Sequence, residues 1–289
     1  MITLVLENQS IQTQLPIIYQ DNQLVFPEKT QFSEPIKLEI KDANVKMLDI
    51  IIGKLSEVKL IIELSSEELA SNAYHIHLKA LDASIVKYMI VGQLKSKDGH
   101  IYQNISLHKD AQLDIIGSFL SDRLVAEIKT DLLGEGARVN LRTIAVSSQT
   151  HNQTIDAHIT HRAPNTYGDM TNIGIVNEQG TIVLNGIEKI EKGMKNANAY
   201  QTLKGIILSD EAICEVNPIL LIDEYDVKAG HGATVGKIEA DQLYYLMSRG
   251  LSQKDAERLI INGFLQPIID EIDDESLKER FIEQTYKRI

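Results

Sequence analysis

The chain has a single cysteine, Cys214, and no tryptophan among its 289 residues. One thiol excludes an internal disulfide and fits a reducing compartment. Aromatic residues are only 5% of the total, too few for an aromatic-lined sugar or nucleobase groove. Cations are also in short supply: 29 Lys and Arg stand against 41 Asp and Glu, a net charge of −12. Phosphate backbones need clustered Lys and Arg, so nucleic acid is not expected as the main ligand. No stretch approaches the roughly 18 consecutive apolar residues of a membrane span. The first residues, MITLVLENQS, have neither the basic region nor the apolar core of a secretory signal. A cytoplasmic location without a membrane partner is the expectation.

Phosphate-loop motifs are missing too. Five residues separate Gly230 from Gly236, where a Walker A loop has four, and Ile238 follows Lys237 where a hydroxyl is needed. The same stretch misses the dinucleotide GxGxxG spacing by one. This chain is expected to bind no nucleotide.

What is present is alternation. Ile36, Leu38 and Ile40 face one way, with Lys37, Glu39 and Lys41 facing the other, the two-residue period of a half-buried strand. Further strand segments are expected along the chain from Thr3 to Leu208, with Ser66 to Asn72 as one helical turn. So many strands without intervening helices exclude a doubly wound α/β fold. A sandwich, a barrel or a β-helix remains. Strand clusters recur at roughly 20 to 25 residues, a solenoid scale. Asn140, Asn152, Asn165, Asn172, Asn177, Asn185 and Asn198 recur near expected turns, where Asn tolerates left-handed angles. Periodicity alone leaves sandwich and β-helix open.

After Gly236 the pattern becomes helical. Glu239-Ala240-Asp241 opens a first helix, Gly250 stops it, and Ser252 with Asp255 caps a second. Pro267 is expected to kink or break that helix. A third covers about Glu275 to Tyr286 and carries Leu277, Phe281 and Ile282. These helices are too apolar to stand alone, and an open solenoid end needs covering. They are the expected C-terminal device, packed on the β body, a partner, or both.

Few residues suggest chemistry. His158 and His161, three apart on a strand, fall on opposite faces and do not form a metal pair. His75 and His77 share a face but lack a third ligand. The carboxylates Asp114, Asp122, Asp131 and Asp169 are scattered. Cys214 is either a soft ligand for iron or a small buried hydrophobe. His231 stands between Gly230 and Gly232, a spacing that reads as a tight turn or as a ring with close access to a partner.

The run His231-Gly232-Ala233-Thr234-Val235-Gly236, then Leu243-Tyr244-Tyr245-Leu246 and Ser248-Arg249-Gly250, resembles the C-terminal signature of the SufB/SufD family. These are scaffold proteins of Suf-type iron–sulfur cluster assembly. The resemblance runs from about Leu141 to about Ile272. Gly232 after the histidine, where SufB members usually have Glu, favours the SufD branch. The resemblance implies a right-handed parallel β-helix over 1–236, with 1–30 as irregular strands or a cap, and a helical subdomain over 237–289. It implies a version shortened at the N-terminus and without turnover of its own. It also implies a SufB-like sister subunit, or a second copy, paired near His231, and a docked SufC-type ABC ATPase. A transient iron–sulfur cluster would form at the subunit interface. His231 is the candidate ligand or interface group, and Cys214 a weaker one. His161 matches a family histidine and is expected to be structural. Leu203 and Ala229 stand where family members carry cysteines. Leu243, Tyr244, Tyr245, Arg249 and Phe264 are the expected docking face or its support. The alternatives are a structural β-helix homodimer without iron and, further off, a carbohydrate-active β-helix enzyme.

Overall fold

A computed structural model describes residues 1–7, 10–40, 46–272 and 275–289, without the side chains of 67–70 and 276–277. Leu277 therefore lies outside the described side chains. The chain opens with β1 (Ile2–Glu7), β2 (Ser10–Ile11), β3 (Ile18–Gln20), β4 (Gln23–Phe26), β5 (Ile36–Ile40) and β6 (Met47–Ile52). Two long strands follow, β7 (Glu57–Ala80) and β8 (Ile85–Leu107). Then come β9 (Gln112–Phe119), β10 (Arg123–Leu132), β11 (Arg138–Ser147), β12 (Asn152–His161), β13 (Tyr167–Val176) and β14 (Thr181–Ile190). The last strands are β15 (Asn198–Ile207), β16 (Ile213–Ile222) and β17 (Lys228–Lys237), before α1 (Ala240–Ser248), α2 (Gln253–Ile269) and α3 (Glu275–Arg288).

The strands wind into a parallel β-solenoid of about seven turns. One face stacks β1, β5, the first part of β7 and of β8, then β9, β11, β13, β15 and β17. The other stacks β4, β6, the later parts of β7 and β8, then β10, β12, β14 and β16. Neighbouring coils are offset by 26 residues at Gln112↔Arg138 and by 31 at Tyr167↔Asn198. The repeat is thus longer than the 20 to 25 residues expected, because each coil includes two strands of up to ten residues and both bends.

Two local expectations are corrected. Ser66 to Asn72 is strand, not a helical turn, because ladder pairing with the Ser96–Gly99 stretch of β8 overrides its polar, helix-tolerant composition. The register slips at Ala70, where β7 bends from one face to the other. Of the asparagines expected near turns, only Asn165 takes a left-handed angle, φ 59°. Asn140 and Asn185 sit within strands and donate to Asp114 and Asp156 on the coil below.

Alternate strand residues fill the lumen, from Leu4 and Leu24 through Ile155 to Leu203. The helices follow a different logic. They do not cap the end of the solenoid, as the sequence suggested they would. Ile261, Leu265, Ile268, Ile269 and Phe281 lie against the outward side chains of the first face, including Met89, Ile116, Ile144 and Ile173. Sheet residues there are buried on both sides: β11 and β13 each end in a run of five buried residues. At about 25 cal/mol per Å², this second layer is a sizeable share of the apolar burial. Arg288 clamps α3 by donating to Ser121 O at 3.3 Å and Asp122 Oδ1 at 3.2 Å. Arg280 pairs with Glu63.

Ser252 Oγ accepts from Asp255 N–H at 3.2 Å, and Gly250 closes α1 at φ +97°, as the sequence indicates. Pro267 does not break α2, which continues to Ile269. Placed in the last turn, it forfeits one backbone bond. Among the described residues, no helix is long and apolar enough to cross a membrane.

Candidate functional site: the open last coil

Because the helices lie along the flank, nothing among the described residues covers β16 and β17. The ladder leaves one edge of each strand without a partner. In a parallel ladder, successive residues turn their N–H and C=O alternately toward and away from the neighbouring strand. Lys228 N–H bonds to Ala197 O. The N–H groups of Ala229, His231, Ala233 and Val235 therefore face the open edge. On β16, Ile213 N–H bonds to Gly180 O, and Asp223 N–H, just beyond the strand, bonds to Ile190 O, so the free positions are Cys214, Val216, Pro218, Leu220 and Ile222. Pro218 has no N–H to offer. Proline in a sheet belongs on an edge, so it interrupts the free edge of β16 while that of β17 stays unbroken.

The register places His231 opposite Gln201, Ala233 opposite Leu203 and Val235 opposite Gly205. Gln201 and Leu203 are buried lumen residues, so His231 stands over the lumen at the mouth of the solenoid, exposed. It lies mid-strand, not in the tight turn its flanking glycines suggest. Those glycines have no internal steric cause. A Cβ on Gly232 or Gly236 would meet nothing within 4 Å, and one on Gly230 only Tyr200 Cδ1 at 3.9 Å.

Cys214 is half-buried at the other end of the mouth. A Cβ on Gly205 would lie 2.5 Å from Cys214 Sγ and 3.3 Å from Val235 Cγ2, so Cys214 and Val235 flank one spot. His231 is four residues from Val235, about 13 Å along a strand. The two candidate ligands are therefore not brought together. Burial first, then the Glu215 charge, pushes the Cys214 thiol up to about 11, which keeps it protonated. Among the described residues, no three His, Cys, Asp or Glu side chains form a metal-binding group. Leu203 lies fully buried in the lumen and Ala229 on β17.

The expected docking residues divide. Tyr244 (76% exposed) and Tyr245 stand out from α1, with the Arg249 guanidinium 5.3 Å from the Tyr245 ring centre. Leu243 is half-buried, and α1 has no fully buried residue. Phe264 is a packing residue: it joins the helix–sheet core, and Lys204 Nζ lies 4.3 Å from its ring centre.

His158 points outward and is half-buried; His161 is fully buried in the lumen, so they do take opposite faces. His75 stacks on Tyr102 at 4.8 Å, and His77 contacts Asp49 at 2.9 Å. Pro218 was the overlooked signal: a proline inside an apolar strand run marks an edge.

The described residues thus form a parallel β-solenoid with a helical flank and one uncovered coil. The family profile described as "SUF system FeS cluster assembly, SufBD core domain" matches residues 39–264, and the chain belongs to that family. It is 38% identical over 165 residues to the iron–sulfur cluster assembly protein SufD of Bacillus subtilis, a match covering 57% of this chain and 38% of that protein. A SufBD family protein of Staphylococcus epidermidis is 29% identical over 167 residues, covering 57% of this chain and 36% of the relative. One from Mycobacterium bovis is 30% identical over 141 residues, covering 49% and 17%. The matched stretch thus spans well under half of each of these relatives.

Proposed function

We propose that this chain is a SufD-type scaffold subunit for iron–sulfur cluster assembly. The observation that carries the reading is the unbroken free edge of β17 with His231 exposed on it, in a member of the SufBD core family. Free strand edges recruit a further strand. A SufB-type sister subunit, or a second copy, pairs along β17 and closes the mouth. The nascent cluster is cargo at that junction. His231 contributes a neutral imidazole, and the sister subunit contributes the thiolates, since Cys214 is held protonated. The exposed tyrosines of α1 dock a SufC-type ABC ATPase, whose nucleotide cycle reaches the solenoid through α2 and α3.

Anaerobic co-expression with a SufC-type ATPase and a SufB-type subunit, followed by size exclusion with iron and sulfide analysis, tests this. A co-eluting complex carrying iron that is lost with His231→Ala is the expected result. A chain that runs as a metal-free pair with itself, indifferent to the ATPase, replaces the reading with a structural homodimer.

A further inference from the structure

Strand β8 reads Asp98-Gly99-His100-Ile101-Tyr102 where it enters the second face. Ile101 and Gln103 are buried in the lumen, so the two-residue period turns Asp98, His100 and Tyr102 to the outside. Their side chains make one continuous hydrogen-bonded line. Asp98 Oδ1 lies 2.9 Å from His100 Nε2, and His100 Nδ1 lies 3.0 Å from the Tyr102 hydroxyl oxygen.

The donors available give the line a direction. A carboxylate has only lone pairs to offer, so Nε2 carries the ring proton. A neutral ring then leaves Nδ1 as an acceptor, and the Tyr102 hydroxyl donates to it. The phenol thus aims its proton at a base whose tautomer and orientation a carboxylate holds. The Tyr102 ring is held too: His75 stacks on it, with ring centres 4.8 Å apart and planes within 18°.

Tyr167 shows what the imidazole adds. Its hydroxyl donates directly to Asp169 Oδ2 at 3.2 Å. Losing that proton would set two negative charges side by side. Burial first, then the Asp169 charge, push Tyr167 up from the usual phenol value. In the Tyr102 line the imidazole separates the two acids, and it becomes a cation between them when it takes the proton.

We propose that Tyr102 is a nucleophilic tyrosine, a modification site that takes an acyl group from a small activated acyl donor, with His100 as its base and Asp98 as the positioning residue. The Tyr102 oxygen forms a bond to the acyl carbon while its proton passes to His100 Nδ1. The bond from that carbon to the leaving group breaks, and the leaving group departs with the electron pair. His100 then gives the proton to the leaving group and is neutral again. The line is open to solvent, with His100 27% and Asp98 66% exposed. It lies four ladder steps from β16 and does not depend on the scaffold reading.

The probe is N-acetylimidazole, applied to the purified chain at about pH 8, above the usual range of an imidazole. Limited labelling is read tyrosine by tyrosine by peptide mass spectrometry. Hydroxylamine, which strips acetyl groups from phenols but not from lysines, confirms the ester. Tyr102 should label at least about tenfold faster than Tyr225 and Tyr244, because a base assists it, although Tyr225 is fully exposed and Tyr244 76% exposed. His100→Gln keeps a hydrogen-bond acceptor but no base, and should bring Tyr102 down to their rate or below it. Asp98→Ala should cause a smaller loss. Both are surface changes that should leave the urea melt unchanged. Labelling of the parent that follows exposure, with Tyr225 and Tyr244 ahead of Tyr102, would overturn the proposal without any variant. Fast labelling of Tyr102 that survives His100→Gln would overturn it as well.

Discussion

Strands β14 and β16 are register neighbours of ten residues each, yet their surroundings could hardly differ more. In β14 every second residue is buried, while in β16 no residue is. The glycines differ in the same way. A Cβ on Gly168 would lie 2.3 Å from Glu188 Oε1 and 3.0 Å from His161 Nε2, and one on Gly186 would lie 2.8 Å from Leu203 Cδ1. Those glycines are required by neighbours within the chain. Gly232 and Gly236 have no such neighbours, and neither takes a left-handed angle. Residues shaped for close contact, with nothing among the described residues to contact, are what the proposed pairing along β17 would use.

The widest gap between the two regions should appear on substitution. Gly168→Val should lower unfolding stability by about 3 kcal/mol, through overpacking of a buried site. Gly232→Ala should stay within about 0.5 kcal/mol of the parent. Urea melts of the two variants check this. Equal losses would mean that the last coil is packed by something within the chain.

The helical flank offers a second, smaller contrast. Phe264→Ala should cost about 2 kcal/mol, less than a fully buried Phe because the ring is only half-buried. Tyr244→Ala should change stability by less than about 0.5 kcal/mol while weakening ATPase capture in a pull-down. A Tyr244→Ala chain that melts early would place α1 in the folded core instead.

The smallest effect is confined to the α3 clamp. Arg288 Nη1 donates to His151 Nδ1 at 2.9 Å, so His151 must be neutral to accept. Burial above all, with the nearby Arg288 charge acting the same way, lowers its proton affinity. An unfolded imidazole titrates near 6.5. The clamp's contribution is therefore complete above that pH and is lost as pH falls through the lower folded value. Amide exchange in the last turn of α3 should quicken on acidification before the lumen strands respond. Uniform quickening throughout the chain would rule out a local clamp.

Much of this contrast was legible in the sequence, though unevenly. Strand segments such as Ile36–Ile40 and Gln153–His161 show their period of two plainly because one side faces the lumen and the other water. The coil length was underestimated because each coil includes bends of variable length, which blur the repeat. Ser66 to Asn72 looked helical because its polar composition fits a helix turn as well as a bend between two sheets. Where the helices lie is decided by outward residues such as Ile144, Ile173 and Ile206, which contribute only one or two positions per strand and are spread over many coils. His161 could be seen as structural, but its partner Glu188 lies 27 residues away, about one coil, a distance no local pattern reveals. His231 was identified by the residues around it; the free edge it occupies needed the register.

The most direct test of the open coil is Ala233→Pro. The N–H at 233 faces the free edge, so proline removes no ladder bond to β15 and takes one donor from any incoming strand. Light scattering after size exclusion, on the chain alone and co-expressed with a SufB-type subunit, gives the readout. The expected result is a parent-like melting temperature and loss of the paired species. A paired species undiminished in the folded variant would contradict assembly through β17.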